Sequence, residues 1–174
     1  MDKHKIYLQG YAQLAKPLIY LAHPVFLLDS VKVLGEQIAE YAEVRVLNPL
    51  QDLEQVTSIE SAITYTSNLT PDQIVTGDLA AIDKCDAIVA VLFSGVRSIG
   101  TLMEIFYAGY TLKRPIFLYT DQMLQNNPWL QFLGCRMFLD KQSLLDGIKL
   151  WTKDDWDGNP IGRYSDVSAN KNSE

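Results

Sequence analysis

Short apolar segments alternate with segments of helical spacing along most of this chain, and this alternation limits its possible folds more than any other feature. The apolar segments, which contain β-branched residues, are at residues 17–24, 44–49, 86–93, 114–120 and 135–139. The helical segments are at residues 29–42, 70–85, 101–113 and 141–151. Because strands that are apolar on both faces need helices on both sides, this order predicts a parallel sheet. We therefore expect an α/β fold, with a doubly wound, five-stranded and mostly parallel sheet of the flavodoxin or Rossmann type.

The length of the chain predicts one domain. A chain of 174 residues can bury a continuous core without a disulfide or a structural metal. We expect an N-terminal extension at 1–16, one α/β domain at 17–151, and a polar, flexible tail at 152–174. The polar connection at 50–69 is expected to form a lid or a short helix.

Charge and composition exclude several classes of function. The net charge is −6 and the fifteen Lys and Arg residues are scattered, whereas nucleic-acid binding needs clustered basic side chains. No apolar run approaches the ~20 residues of a membrane span, and the start of the chain lacks an apolar signal segment. We therefore expect a cytoplasmic protein that binds small molecules, with no nucleic-acid partner and no membrane partner.

Residues that bind metals or form disulfides are few. Cys85 and Cys135 each lie in an apolar, strand-like segment, which favours two buried thiols over a disulfide. The two histidines are His4 and His23, and neither CxxC nor HExxH spacing occurs. We expect neither a metal site nor a cofactor.

Glu104 has two interpretations, one structural and one functional. Thr101 and Glu104 have the spacing of a capping box, in which both side chains bind free backbone amides at a helix start. Glu104 also follows the third predicted strand, and ligands of doubly wound sheets bind beyond the carboxyl ends of the strands. Gly100 can serve as a turn residue or can let a substrate approach the backbone. The residues alone leave both interpretations open.

Four segments carry a resemblance to a known family. They are YLAHPVF at 20–26, NPLQD at 48–52, GDLAAIDKCDAIVAVL at 77–92 and GTLMEIFYAGYTLKRPIFLYT at 100–120. In this order they resemble successive blocks of the nucleoside 2-deoxyribosyltransferase family, over about residues 17 to 139. The resemblance implies an enzyme that exchanges the base of 2′-deoxyribonucleosides through a covalent deoxyribosyl-glutamate, with retention. Its partners would be nucleosides or nucleotides and free bases.

The resemblance assigns catalytic roles to three residues. Glu104 matches the nucleophile, Asp78 the aspartate that recognises the base and delivers a proton, and Tyr20 the tyrosine that hydrogen-bonds the nucleophile. These roles agree with the chemistry, because departure of the base leaves positive charge at C1′ that a carboxylate stabilises and then traps. The structural alternatives are a solvated helix residue for Asp78 and a core tyrosine for Tyr20.

Substrate-binding positions follow from the same blocks. The expected binding residues are His23, Gln51, Asp52, Arg97, Ser98, Gly100, Thr101 and Asn127. Among them, Gln51 and Asp52 match a base-contacting loop of the family. Asn127 matches an asparagine that the family donates across a subunit boundary.

The segment at 121–134 predicts self-association. We expect it to be a loop that exposes Trp129, Leu130 and Phe132 next to the site. An exposed apolar patch of this kind usually marks an interface. We therefore expect a homo-oligomer.

Three positions depart from the family pattern. Ser98 stands where the family has an aspartate that holds the sugar 5′-hydroxyl, and Phe106 and His23 stand where glycines are usual. Related N-glycosidases that hydrolyse 2′-deoxynucleoside 5′-monophosphates have a serine at this position, and Arg97 beside it could bind the phosphate. The structural alternative for this pair is an exposed loop with a helix cap.

These departures leave three candidate functions. Those hydrolases hold the phosphate on a Gly- and Arg-rich turn after the first strand, whereas this chain has AHPVFLLDS at 22–30. We therefore expect a nucleoside 2-deoxyribosyltransferase, with the 5′-monophosphate N-glycosidase as the alternative. A third candidate is a catalytically silent nucleotide-binding module, which the retention of Asp78 and Glu104 disfavours.

Overall fold

A computed structural model of the chain describes residues 16–50, 58–96 and 98–153. The strands are β1 (Leu18–Ala22), β2 (Arg45–Leu47), β3 (Ala87–Leu92), β4 (Ile116–Thr120) and β5 (Arg136–Phe138). The α-helices are α1 (Leu28–Ala42), α2 (Ile59–Ser67), α3 (Pro71–Asp83), α4 (Ile99–Phe106), α5 (Pro128–Phe132) and α6 (Lys141–Thr152). Short 3₁₀ turns occur at Val25–Leu27 and Gln122–Leu124, and a π-helical turn at Tyr107–Thr111 continues α4.

The five strands form one sheet in the order β2-β1-β3-β4-β5, and every pairing is parallel. The predicted doubly wound fold is confirmed, with a sheet that is parallel throughout its described length. The order of the strands reverses between β1 and β3, because the chain adds β2 on one side of β1 and β3 on the other. Ligands of such sheets bind in the crevice at this point, beyond the carboxyl ends of the strands.

Alternate side chains of each strand pack on opposite faces of the sheet. Ile19 and Leu21 of β1 belong to a buried cluster that includes residues of α1 and α6. Tyr20 and Ala22 belong to the other cluster, which contains Ile82 of α3 and Ile105 of α4. The two helices that carry Asp78 and Glu104 therefore lie on the same face of the sheet as Tyr20.

The helix that carries Glu104 begins two residues earlier than predicted. Its N-cap is Ser98, whose hydroxyl accepts a hydrogen bond from the Thr101 amide at 3.2 Å. The structural interpretation of Glu104, a capping box with Thr101, is therefore wrong, whereas the helix cap considered for Ser98 is observed. Ser98 has extended backbone angles and is itself a favoured N-cap, so it takes the role, and Glu104 lies in the second turn of α4, beyond the free amides.

The polar connections contain more helix than predicted. The described part of 50–69 contains α2, in agreement with the short helix that was one of the two expectations. The segment at 121–134 is not simply a loop, because it contains α5, and Leu130 is 2% exposed, so the expectation that Leu130 is exposed is wrong. Leu130 packs in the cluster that also contains Tyr20, which explains its burial.

Several sequence expectations concern other parts of the chain. Most of the N-terminal extension and of the C-terminal tail lies outside the described residues. Within the described ranges, Cys85 and Cys135 are both free. A search of the same ranges finds no helix with the length and apolar character that a membrane crossing requires.

Candidate active site

Three side chains from three different elements meet at the carboxyl-terminal edge of the sheet. The hydroxyl of Tyr20 donates a hydrogen bond to Oε1 of Glu104 at 2.7 Å, and it lies 3.4 Å from Oδ1 of Asp78. Tyr20 is fully buried, because β1 is a central strand with both faces covered. The structure thus brings together the three residues that the sequence selected as catalytic.

The surroundings of Glu104 oppose its ionisation. Burial raises the pKa of Glu104, the hydrogen bond from Tyr20 lowers it, and the nearby charge of Asp78 raises it, so that the pKa lies at about 7. A carboxylate in this position is therefore ionised only in part at neutral pH and becomes fully charged above it.

The other two groups of the cluster have shifted pKa values as well. Burial raises the pKa of Asp78, and the hydrogen bond with Tyr20 acts against this shift. The pKa of Tyr20 is raised strongly by burial and by the charges of Glu104 and Asp78. Tyr20 consequently stays protonated and remains a hydrogen-bond donor. Asp78 holds a proton at a higher pH than an exposed aspartate does, as a group that delivers a proton should.

A cavity of about 580 Å³ opens beside Asp78 and Glu104. Its walls come from the segments after β1 and β2, from α2 and α3, and from the start of α4. The apolar residues among these walls are Pro24, Val25, Phe26, Leu47, Pro49, Leu50, Leu69, Ile74 and Ala81, with Tyr65. A cavity of this size with apolar walls and a few polar groups is typical of a small-molecule site.

The structure places some of the predicted binding residues at the cavity and others elsewhere. His23, Ser98, Gly100 and Thr101 line the cavity. Asn127 is not among the residues that line it, and its side chain instead caps α5 by accepting from the amides of Trp129 and Leu130. Gln51, Asp52 and Arg97 lie outside the described residues.

Ser98 uses its hydroxyl within the protein. The hydroxyl donates to Oγ1 of Thr101 at 2.6 Å and accepts from the amide of Thr101 at 3.2 Å. Thr101 is 2% exposed, so this pair is fixed by its surroundings. The Ser98 hydroxyl proton is therefore directed at Oγ1 of Thr101.

His23 joins the segments that follow β1 and β2. Its Nδ1 lies 3.0 Å from the carbonyl oxygen of Pro24, and its Nε2 lies 3.1 Å from Oδ1 of Asn48. The His23 and Asn48 side chains are both buried. The histidine therefore fixes the position of the wall that Pro49 and Leu50 form.

Most residues that line the cavity were not among the predicted site residues, and four of these are of particular interest. They are Phe26, Tyr65, Gln73 and Gly77. A signal existed for Phe26, which directly follows the first strand, and for Gly77 and Gln73, which precede Asp78 by one and five residues on the same helix. No such signal existed for Tyr65, because the packing of α2 against the segment that follows β1 depends on tertiary contacts.

The described residues offer no obvious metal ligands. No group of three His, Cys, Asp or Glu side chains within the described ranges could hold a metal ion.

Comparisons with known proteins identify the family and the fold. The protein-family model of nucleoside 2-deoxyribosyltransferase matches residues 19–148. No curated protein matches the sequence. A solved CMP N-glycosidase from Clostridium botulinum superposes with a TM-score of 0.52 at 20% identity, over 77% of this chain and 98% of that chain. A 2-deoxyribosyltransferase from Bacillus psychrosaccharolyticus has a TM-score of 0.48 at 20% identity, over 74% of this chain and 90% of that chain.

Proposed function

This chain belongs to the nucleoside 2-deoxyribosyltransferase family, and we propose that it transfers 2′-deoxyribose between bases with Glu104 as the nucleophile. The observation that carries this proposal is the contact of one buried tyrosine hydroxyl with two carboxylic groups, Asp78 and Glu104, that line a cavity large enough for a nucleoside. A carboxylate held by a neutral donor can attack C1′, and a second carboxylate with a raised pKa can protonate the departing base.

The first half of the proposed reaction breaks the bond between C1′ and the base. The electron pair of this bond goes to the base nitrogen, and the base gains the proton that Asp78 carries. Positive charge develops at C1′ and is neutralised as an oxygen of Glu104 forms a bond to C1′. Tyr20 orients the Glu104 carboxylate through its hydrogen bond to Oε1.

The second half reverses these steps with a different base. A nitrogen of the incoming base attacks C1′ from the side that the first base left, and the bond to Glu104 breaks. Asp78, now ionised, receives the proton that the incoming base loses. Two inversions give net retention, and water in place of the base would give hydrolysis.

The cavity favours a free 5′-hydroxyl over a 5′-phosphate. The Ser98 hydroxyl is committed to Thr101, and the described lining contains Asp78 and Glu104 but neither Lys nor Arg. The ionised carboxylate of Glu104 would repel a phosphate. The second candidate is a 5′-monophosphate N-glycosidase, which serine at position 98 favours.

Base exchange tests this proposal. The protein is incubated with deoxyinosine and adenine, or with dCMP alone, and the products are separated by chromatography. We expect deoxyadenosine and hypoxanthine from the first mixture and little change in the second. Release of cytosine from dCMP without an acceptor base would replace the transferase by the hydrolase. Turnover of neither would indicate a silent binding module.

Replacement of Ser98 separates the two substrates further. Ser98→Asp keeps a favoured N-cap and adds a charge. Transfer from deoxynucleosides should persist or improve, because the 5′-hydroxyl gains a charged acceptor worth ~1.5–3 kcal/mol. If the wild-type protein does turn over dCMP, the same variant should abolish that turnover through like-charge repulsion. Loss of deoxynucleoside turnover in a folded Ser98→Asp variant would contradict the proposed substrate.

A further inference from the structure

One face of α3 forms a long wall of the cavity. The residues of α3 that line it are Gln73, Ile74, Gly77, Asp78 and Ala81. This spacing is that of a single helix face. Asp78 contacts the Tyr20 hydroxyl beside Glu104, whereas Gln73 lies five residues earlier, about 7.5 Å along the helix axis. The wall therefore has a catalytic end at Asp78 and a distal end at Gln73.

The carboxamide of Gln73 has a defined orientation. The amide of Thr70 donates to Oε1 of Gln73 at 2.8 Å, and the amide of Gln73 donates to Oγ1 of Thr70 at 3.2 Å, which completes a capping box. Because a backbone amide only donates, the atom that faces it must be the carboxamide oxygen. The NH₂ group of Gln73 is thus left for a ligand, and an NH₂ group of this kind donates only.

Between the two ends, the wall offers room for a flat ring. A Cβ at Gly77 would have no protein atom within 4 Å, so the backbone of α3 is open to the cavity there. Ile74 of the same face and Tyr65 of α2 present apolar surface beside it. A heterocyclic base attached to C1′ at Glu104 would therefore lie along α3, with its distal edge toward Gln73.

We propose that Gln73 selects bases that carry a carbonyl oxygen on the edge remote from the sugar, namely 6-oxopurines and 4-oxopyrimidines. This inference deepens the proposed function and rests on it for the placement of the base. A carbonyl oxygen at that edge accepts a hydrogen bond from the NH₂ group of Gln73. The amino group of adenine or cytosine would instead face the NH₂ group of Gln73. Both groups are donors, so neither would have a hydrogen-bond partner.

Substitution of Gln73 by Glu tests the proposal. Glutamate serves at this position of a capping box as glutamine does, but its head only accepts. Binding of hypoxanthine and adenine is measured by titration calorimetry on the full chain. The wild-type protein should prefer hypoxanthine by about tenfold, as one hydrogen bond permits. In Gln73→Glu the preference should reverse, and in Gln73→Met the two bases should bind with nearly equal affinity.

A control places the same charge elsewhere on the helix. Val75 is 55% exposed and is not among the lining residues, so Val75→Glu should leave the ratio of the two affinities unchanged. A wild-type protein that prefers adenine or binds neither base would overturn the proposal. An unchanged ratio in Gln73→Glu or, if that variant does not fold, in Gln73→Met would also overturn it.

The outcome is independent of turnover. If the base preference follows position 73 but no deoxynucleoside is cleaved, the proposed function fails and the assignment of the base site remains. If deoxynucleosides are cleaved and the preference ignores position 73, the proposed function remains and this inference fails.

Discussion

At the scale of single residues, the proposed nucleophile Glu104 must become charged although it is buried. Burial raises its pKa to about 7, and the hydrogen bond from Tyr20 is the contribution that lowers it. A nucleophile must be ionised, so kcat/KM for deoxyinosine should fall as the pH drops through about 7. A pH profile of kcat/KM between pH 5 and 9 measures this limb, since that parameter reports the free enzyme.

Tyr20→Phe tests whether the acidic limb of the pH profile, the fall in kcat/KM below about pH 7, comes from Glu104. Phenylalanine keeps the ring that packs in the core but cannot donate, so the pKa of Glu104 should rise and the limb should move to higher pH. We expect a loss of activity at pH 7 that is partly recovered at pH 9. An unshifted limb in a folded variant would mean that the limb belongs to another group.

The same shift makes Glu104 a source of instability at neutral pH. Its pKa rises from the ordinary 4.5 to about 7 on folding, so the folded protein binds the proton more tightly than the unfolded chain. The free energy of unfolding should therefore fall as the pH rises from 4.5 to 7.

Glu104→Gln removes this titration. The variant should unfold like the wild type at pH 4 and should be more stable at pH 8 by up to about 3 kcal/mol, at 1.36 kcal/mol for each pKa unit. Urea unfolding at both pH values measures the difference. An equal or lower stability of Glu104→Gln at pH 8 would show that Glu104 is not strained by burial.

At the scale of helices and strands, the two glycines inside α3 and α6 differ in what surrounds them. A Cβ at Gly147 of α6 would lie 2.6 Å from Cζ of Phe138, a ring that is itself buried, whereas a Cβ at Gly77 of α3 meets nothing within 4 Å. Gly147→Ala should therefore destabilise the protein by about 1–3 kcal/mol through overpacking.

Gly77→Ala is the matched control for this prediction. It should stabilise the protein by about 0.5–1 kcal/mol, because alanine is the better helix former. Denaturant unfolding of both variants makes the comparison. If Gly147→Ala were as stable as Gly77→Ala, the close contact between Gly147 of α6 and the Phe138 ring of β5 would be contradicted.

The elements were predictable where one physical signal dominates. The five strands follow from apolar, β-branched segments, and the start of α3 follows from Thr70 and Pro71. The start of α4 was not predictable in the same way, because Ser98 and Thr101 are both favoured cap residues and only the observed backbone shows that Ser98 takes the role.

The site shows the same division. Glu104 could be selected from its position after a strand together with a family resemblance, whereas Tyr20 and Asp78 were selected from the resemblance alone. Gln73 and Tyr65 could not, because their places in the cavity depend on how α2 and α3 pack, and sequence spacing does not contain that packing. The sequence also did not predict that Asn127 caps α5 and is not among the described residues that line the cavity. Only the folded structure shows this.

At the scale of the whole molecule, an apolar surface lies on the last residue of α4, the π-helical turn and α5. It consists of Phe106, Tyr110, Trp129 and Phe132, with Tyr110 stacked on Phe106 at 5.0 Å and Phe132 centred 6.3 Å from Tyr110. Trp129 and Phe132 are 67% and 66% exposed. Connected apolar side chains that face solvent usually mark an interface.

We predict that this surface joins copies of the chain. Light scattering at micromolar concentration should give a mass above that of one chain, and Trp129→Glu or Phe132→Glu should lower it to one chain. Val33 of α1 is 52% exposed, and Val33→Glu serves as the control that leaves the mass unchanged. A wild-type mass of one chain would contradict the prediction and would remove any role for Asn127 in a neighbouring site.

The central claim is that Glu104 forms a covalent bond to deoxyribose, and the most direct measurement is the mass of the enzyme during turnover. The protein is mixed with deoxyinosine without an acceptor base, quenched in acid, and examined by intact mass spectrometry and peptide mapping. We predict an added deoxyribosyl group on the peptide that contains Glu104, and no such group in Glu104→Gln. A deoxyribosyl group on a different residue, or release of hypoxanthine by folded Glu104→Gln at the wild-type rate, would contradict the account.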